Sequence, residues 1–228
     1  VILITGTSKG IGNFLAKYYL EQDYIVIGCS RKKLNLRHKN YTHFILNIND
    51  EKNVIKMFNA IRTNFGRLDI LINNAGIASM NHSLLTTMQT VSNILETNVA
   101  ATFLFCRESS KIMRRNNFGR IINFTTVATP LNLEGESIYA SSKAAVITLT
   151  KILAKELADF SITVNSIGPT PIKTDLIKSV PNKKIKSLID KQAIKRFGTF
   201  EDIANVLNFY LSKNSDFITG QNIYLGGV

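Results

Sequence analysis

Short apolar runs alternate along the chain with longer segments of helical periodicity. Residues 1–5 (VILIT), 24–30, 42–48, 70–74, 119–126, 162–167 and 222–225 are rich in Ile and Val and mostly apolar at successive positions. A strand covered on both faces needs this pattern, so these runs predict seven buried parallel strands. The stretches between them are long enough for crossover helices. Residues 50–65 carry Val54, Met57, Phe58 and Ile61 at helical spacing, and Phe14, Leu15, Tyr18 and Tyr19 form another such stripe. Strand and helix alternating seven times predicts an α/β fold, a doubly wound parallel sheet with helices on both faces. There is no internal repeat, low-complexity tract or Pro/Gly-rich linker, so residues 1–228 read as one domain.

Chemistry enters where these elements meet. The first run passes into Thr5-Gly6-Thr7-Ser8-Lys9-Gly10-Ile11-Gly12 and then a helix. Glycines permit a tight turn and close backbone approach, and the helix N-terminus offers free N–H groups to phosphate. The Gly-x3-Gly-x-Gly spacing departs from G-x-G-x-x-G, and alone it is only a turn signal. Its place at the opening of a strand–helix–strand unit makes it a dinucleotide site. The second run ends at Ser30, followed by Arg31-Lys32-Lys33 with no acid. An acid here would bind a ribose 2′-hydroxyl and favour NAD; Arg accommodates a 2′-phosphate, so this tip predicts NADP(H), and Lys9 could reach the same phosphate. Tyr139 and Lys143 stand four apart in a helical stretch over residues 137–158 and so share a face. An ammonium beside a phenol lowers its pKa toward the range useful for proton transfer.

Composition bounds the rest. Hydrophobic residues make up 45% of the 228 and charged residues 19%, which excludes a disordered chain. No run approaches a membrane span, and residues 1–5 are too short and lack the basic flank of a signal peptide. The chain opens on an apolar run without Met, so a few residues are expected to precede it. Cys29 and Cys106 make no disulfide framework, which points to a reducing cytoplasm. His38, His43 and His82 show no metal-ligand spacing; His82 could line the pocket mouth, but a solvated histidine is expected there. The net charge of +12 is open to a nucleic-acid partner, an anionic ligand, an acidic protein partner or mere Lys-rich usage. Residues 31–39, 111–120 and 173–196 hold 17 of the 28 basic residues and two of the 16 acids, while the remainder is net negative. The excess is therefore local, pointing to NADP(H) and an anionic substrate. No helix-turn-helix, zinc or RNA-stacking motif supports nucleic acid.

Together these residues resemble the short-chain dehydrogenase/reductase family over nearly the whole chain. Residues 5–12 match its TGxxxGIG loop. Asn73-Asn74-Ala75-Gly76 matches the NNAG that stabilises the central sheet beside the adenine ribose. Asn98 matches the helix Asn that holds a water in the proton relay, and Tyr139 with Lys143 matches YxxxK. Residues 165–174 resemble the loop holding the nicotinamide, and Arg196-Phe197-Gly198 and residues 218–227 fit the C-terminal pattern. The resemblance implies a Rossmann sheet of order 3-2-1-4-5-6-7 and a catalytic set of Asn98, Thr126, Tyr139 and Lys143. It implies a cofactor site of Gly6, Ser8, Lys9, Gly10, Ile11, Gly12, Ser30, Arg31, Asn47, Ile48, Asn74, Ala75, Gly76, Tyr139, Lys143, Pro169, Ile172 and Thr174, with no metal. Three positions depart. Thr126 stands where the family usually has Ser, thirteen residues before the Tyr; its hydroxyl remains, but its methyl narrows the pocket. Asn47 replaces an Asp, and Pro169-Thr170-Pro171 replaces Pro-Gly.

The implied function is an NADPH-dependent oxidoreductase acting on a carbonyl or alcohol, most similar to 3-oxoacyl carrier-protein reductases; the alternative is a non-catalytic dinucleotide- or nucleic-acid-binding protein on the same fold. Where those reductases present two docking Arg residues, this chain has Asn117 and Phe160, with Arg114, Arg115 and Arg120 near the first. Residues 173–198 are expected to form a substrate lid. The family's assembly implies a homotetramer or homodimer through the helices of Asn98 and Tyr139. Apolar residues on two sides of these helices (Ala101, Phe105; Val146, Ile147, Leu153) agree with that, and Phe103, Leu104 and Phe105 read as core or interface.

Overall fold

The computed structural model describes residues 1–177 and 180–228. Its seven strands are β1 (Ile2–Thr5), β2 (Val26–Ser30), β3 (Tyr41–Ile45), β4 (Ile70–Asn73), β5 (Gly119–Phe124), β6 (Ile162–Gly168) and β7 (Asn222–Tyr224). They pair in parallel in the order β3-β2-β1-β4-β5-β6-β7, as expected. Every residue of β1, β2, β4, β5 and β6 is buried, whereas the edge strands are largely half-buried.

The helices are α1 (Gly10–Leu20), α2 (Glu51–Phe65), α3 (Met88–Leu95), α4 (Ala101–Met113), a short α5 (Ala128–Leu131), α6 (Ser137–Glu156), α7 (Asn182–Asp190) and α8 (Phe200–Leu211). Successive strand residues point to opposite faces. Leu3, Leu71, Ile121 and Val164 therefore pack with α2, α4 and α6, while Ile2, Ile4, Ile72 and Ile122 pack with α1 and α8. Helix α2 buries Val54, Met57, Phe58 and Ile61 as its pattern predicts. Asp50 caps its start by accepting from Asn53 N, and Gly66 ends it in the left-handed conformation.

Two expectations are corrected and a third is narrowed. The β2–β3 crossover, residues 31–40, contains no helix. It has five basic residues and only Leu34 and Leu36 as large apolar ones, too few for a buried stripe. Of the residues named for an interface, Ala101, Phe105, Val146 and Leu153 are buried and Ile147 is half-buried; Leu104 and Phe105 are core, one of the two roles expected of them, and Phe103 is exposed, as are Leu95 and Ile152. Arg120 lies inside β5 at 3% exposure, its guanidinium over the Phe118 ring and donating to Gly119 O, so it presents no docking charge.

Side chains lock the strand ends together. Asn73 Nδ2 donates to Asn123 Oδ1 at 2.9 Å, and Asn123 Nδ2 to Thr150 Oγ1 at 2.9 Å, which ties β4, β5 and α6. Of the expected lid, the described part holds a 3-10 turn (Asp175–Ile177) and α7, whereas Lys178 and Ser179 lie outside the described residues. Among the described residues no helix is long and apolar enough to cross a membrane.

Candidate active site

The glycine loop is assembled by close backbone approach. Gly6 N donates to Cys29 O, Asn74 Nδ2 to Thr5 O (2.8 Å) and Ala75 N to Thr5 Oγ1 (2.9 Å). A Cβ on Gly12 would lie 2.4 Å from Gly6 O and 2.6 Å from Asn74 Nδ2, so only glycine fits. Gly6 and Gly10 have positive φ. The first turn of α1 carries no acid, and Lys9 at its N-cap makes no side-chain cap, so the N–H groups of Ile11 and Gly12 keep a positive end open to an anion. Ser8 is half-buried in the turn. This cradle fits the pyrophosphate of a dinucleotide.

On the β2 side, Ser30 ends the strand and Arg31, Lys32 and Lys33 are exposed. Lys9, at the start of α1, pairs across the loop. Its Nζ lies 3.2 Å from Asp175 Oδ2, on the β6 side of the loop, where Thr174 also approaches Gly10. Both partners are largely exposed, so the pair contributes little stability. Asn47 is exposed and its Oδ1 accepts from Asn49 N, closing its own turn, while Ile48 packs against the core. Pro169 O accepts from Val127 N, and buried Ile172 bridges to Gly198.

The remaining residues gather at the carboxyl ends of β4 and β5. Between α3 and α4 the helix loosens into a π turn (Glu96–Ala100), a feature common at functional sites. It turns the fully buried Asn98 inward. Asn98 Nδ2 donates to Ile77 O (2.9 Å) and Ser142 Oγ (3.0 Å), and its Oδ1 accepts from Ile77 N. Lys143, one turn after Tyr139 on α6, donates from Nζ to Phe124 O at 2.7 Å. A Cβ on Gly76 would sit 3.2 Å from Asn98 Oδ1 and 3.4 Å from Lys143 Nζ, so the glycine keeps this space clear. Thr126, just past β5, is hydrogen-bonded to the Tyr139 phenol and accepts from Ala128 N.

This arrangement was compared with known proteins. Residues 6–227 match the family described as Enoyl-(Acyl carrier protein) reductase. The 3-oxoacyl-[acyl-carrier-protein] reductase FabG of Rickettsia felis is 33% identical, the match covering 99% of this chain and 94% of the relative. The protein of that name from Staphylococcus epidermidis is 32% identical, over 99% and 96%. The chain belongs to the short-chain dehydrogenase/reductase family. Among solved structures, ElxO with NADP bound superposes with TM-score 0.90 at 31% identity, covering 98% of this chain and 96% of that one. The 4-hydroxyisoleucine dehydrogenase complexed with NADH gives TM-score 0.89 at 29%, over 99% and 96%. The family supports a pyridine-nucleotide oxidoreductase.

The electrostatics of this short-chain dehydrogenase/reductase site differ from the expectation. Burial pushes the Tyr139 phenol up to about 12; the Thr126 hydrogen bond pulls it down and Glu136 raises it further. Burial also brings the Lys143 ammonium down to about 8. Burial is thus the largest influence on both groups. Sequence reasoning missed Ser142, which donates to Tyr139 O and accepts from Asn98, and Glu136, a buried carboxyl one helical turn before Tyr139 whose own pKa is raised by burial. Position on the Tyr139 helix was their only signal. It also missed His43, which is half-buried and bonded at both ring nitrogens.

Burial of Lys143 gives a stability signature. An unfolded Lys titrates near 10.4, so between about pH 8 and 10 the unfolded chain binds a proton that the folded one lacks, and stability rises with pH in that window. Lys143→Met is expected to remove a rise of up to about 1.4 kcal/mol per pH unit relative to the parent. The two buried thiols, held up to about 12, act oppositely but cancel in the comparison. Urea unfolding at several pH values measures this; parallel curves would refute it.

Proposed function

We propose that this protein reduces the carbonyl of a 3-oxoacyl thioester or a related ketone with NADPH. The observation that carries the reading is the meeting of the Lys143 ammonium and Asn98 amide beside Gly76, with Tyr139 one turn before Lys143 and bonded to Thr126, at the edge that also bears the glycine cradle. The glycine loop and the N-terminus of α1 would hold NADPH, which would supply the hydride. Thr126 hydrogen-bonds the substrate oxygen, and Tyr139 donates a proton to it. Burial keeps the phenol protonated, which suits reduction. Lys143 stabilises the tyrosinate left behind, and Asn98 orders the path by which its proton is replaced.

Three successive cations and no acid at the β2 tip support NADPH over NADH. Similarity to 3-oxoacyl reductases supports the substrate class. The exposed lysines of α7 suit an anionic substrate and a lid over it. Free, buried Cys29 and Cys106 fit a cytoplasmic protein.

Tyr139→Phe is expected to bring NADPH oxidation with 3-oxoacyl thioesters to background while NADPH still binds by fluorescence titration; retained turnover would overturn the assignment. Thr126→Ala is expected to lower kcat about 10- to 100-fold, with Thr126→Ser restoring it. Arg31→Asp is expected to shift preference toward NADH, and unchanged NADPH affinity would count against the tip as the phosphate site. Exposed Leu95, Phe103 and Ile152 on α3, α4 and α6 suit a homotetramer or homodimer. Light scattering is the check, and a stable monomer would exclude it.

A further inference from the structure

The β2 tip is held from beneath by side chains outside the cofactor motifs. Strands β2 and β3 pair with Gly28 opposite His43 and Ser30 opposite Ile45. Tyr41 and His43 lie two residues apart on β3 and so share a face. Gly28 opens a slot between them and the glycine loop: a Cβ there would fall 2.2 Å from the Tyr41 hydroxyl and 2.6 Å from Thr7 Oγ1. Through this slot the Tyr41 hydroxyl comes within 3.3 Å of Thr7 Oγ1 and 2.8 Å of His43 Nδ1.

The other ring nitrogen, His43 Nε2, lies 3.1 Å from Lys32 O and 3.2 Å from Ser30 Oγ, and Ser30 Oγ itself donates to Lys32 O at 2.6 Å. Lys32 O can only accept, so Nε2 carries the proton, and the single Tyr41 hydroxyl hydrogen is shared between His43 Nδ1 and Thr7 Oγ1. Burial holds the ring's pKa down, in keeping with a neutral imidazole. The backbone on both sides of Arg31 is thus pinned, at Ser30 and at Lys32, and tied through Tyr41 to the loop that cradles phosphate.

We propose that His43 is a positioning residue for cofactor selectivity: by gripping the Ser30–Lys32 turn it presents Arg31 in a preorganised pose to the 2′-phosphate of NADPH. The inference rests on the NADP(H) reading above. A rigid turn lowers the ordering cost of binding, and that gain reaches only a ligand that touches the turn. NADH lacks the 2′-phosphate and does not engage Arg31 there.

The experiment titrates NADPH and NADH against the parent protein, His43→Leu and His43→Gln, with steady-state kinetics and a melting curve for each. His43→Leu is expected to raise Kd and KM for NADPH about three- to tenfold, the worth of one net hydrogen bond, with kcat and NADH affinity within twofold. His43→Gln keeps a side-chain N–H for Lys32 O and is expected to recover most of the loss. If His43→Leu does not fold, His43→Ser removes the same contacts without bulk, and the same split is required of it. Equal losses for both cofactors, or no rescue by Gln, would show a merely structural role and overturn the proposal. A parent that prefers NADPH alongside a His43→Leu variant of unchanged NADPH affinity overturns this inference alone. A parent that binds NADH as tightly as NADPH overturns the cofactor reading and this inference with it.

Discussion

Parallel strands all end on one edge of a sheet, and the residues that follow them must turn there. In this chain the order β3-β2-β1-β4-β5-β6-β7 reverses direction between β1 and β4. Crossovers from the two strands leave toward opposite sides and open a crevice at their carboxyl ends. The glycine loop after β1, the cationic tip after β2, Asn74–Gly76 after β4, Thr126 after β5 and Pro169–Thr174 after β6 all reach that edge. Five segments far apart in sequence become one site because the strands are parallel and paired in this order. The packing that keeps them in register is close: Gly12 against Gly6 O, and Asn73 against Asn123 and Thr150.

Burial then sets the chemistry of the edge. Lys143 is buried with Phe124 O as its hydrogen-bond acceptor, and a cation so enclosed loses part of its preference for the charged form. The same enclosure holds the Tyr139 phenol protonated. Two groups whose ordinary pKa values are similar are driven apart, one down and one up, by a single cause. The π turn at Asn98 serves the same centre: the amide bonds Ile77 and Ser142, and both its oxygen and the Lys143 ammonium border the space that Gly76 keeps clear.

Charge on the adenosine side has a different character. The β2 tip is exposed, and its Arg and Lys side chains have many rotamers to lose on binding. What it lacks in burial is supplied from below, where Tyr41, His43 and Ser30 fasten its backbone. The backbone beneath this local surplus of positive charge is thus held by hydrogen bonds from the neighbouring strand.

Much of this was legible before any coordinates. Apolar runs on β1, β2 and β4 to β6, the helical stripe of α2, and the spacing of Tyr139 and Lys143 are local periodicities, and local periodicity is written in order along the chain. Boundaries were less so: β5 stops at Phe124 because Thr126 turns to accept from Ala128 N, an event no propensity marks. Residues 31–40 were too polar for the helix that alternation suggested. Lys9 meets Asp175, Arg120 lies buried over Phe118, and His43 is gripped between Tyr41 and Lys32, none of which follows from neighbours in sequence. By itself the sequence determined the strands, the helices and the kinds of groups available, because those depend on residues a few positions apart. Only the tertiary structure decided which of those groups meet and how strongly each holds its proton, because contact and burial depend on chain segments tens of residues apart being brought together by the sheet.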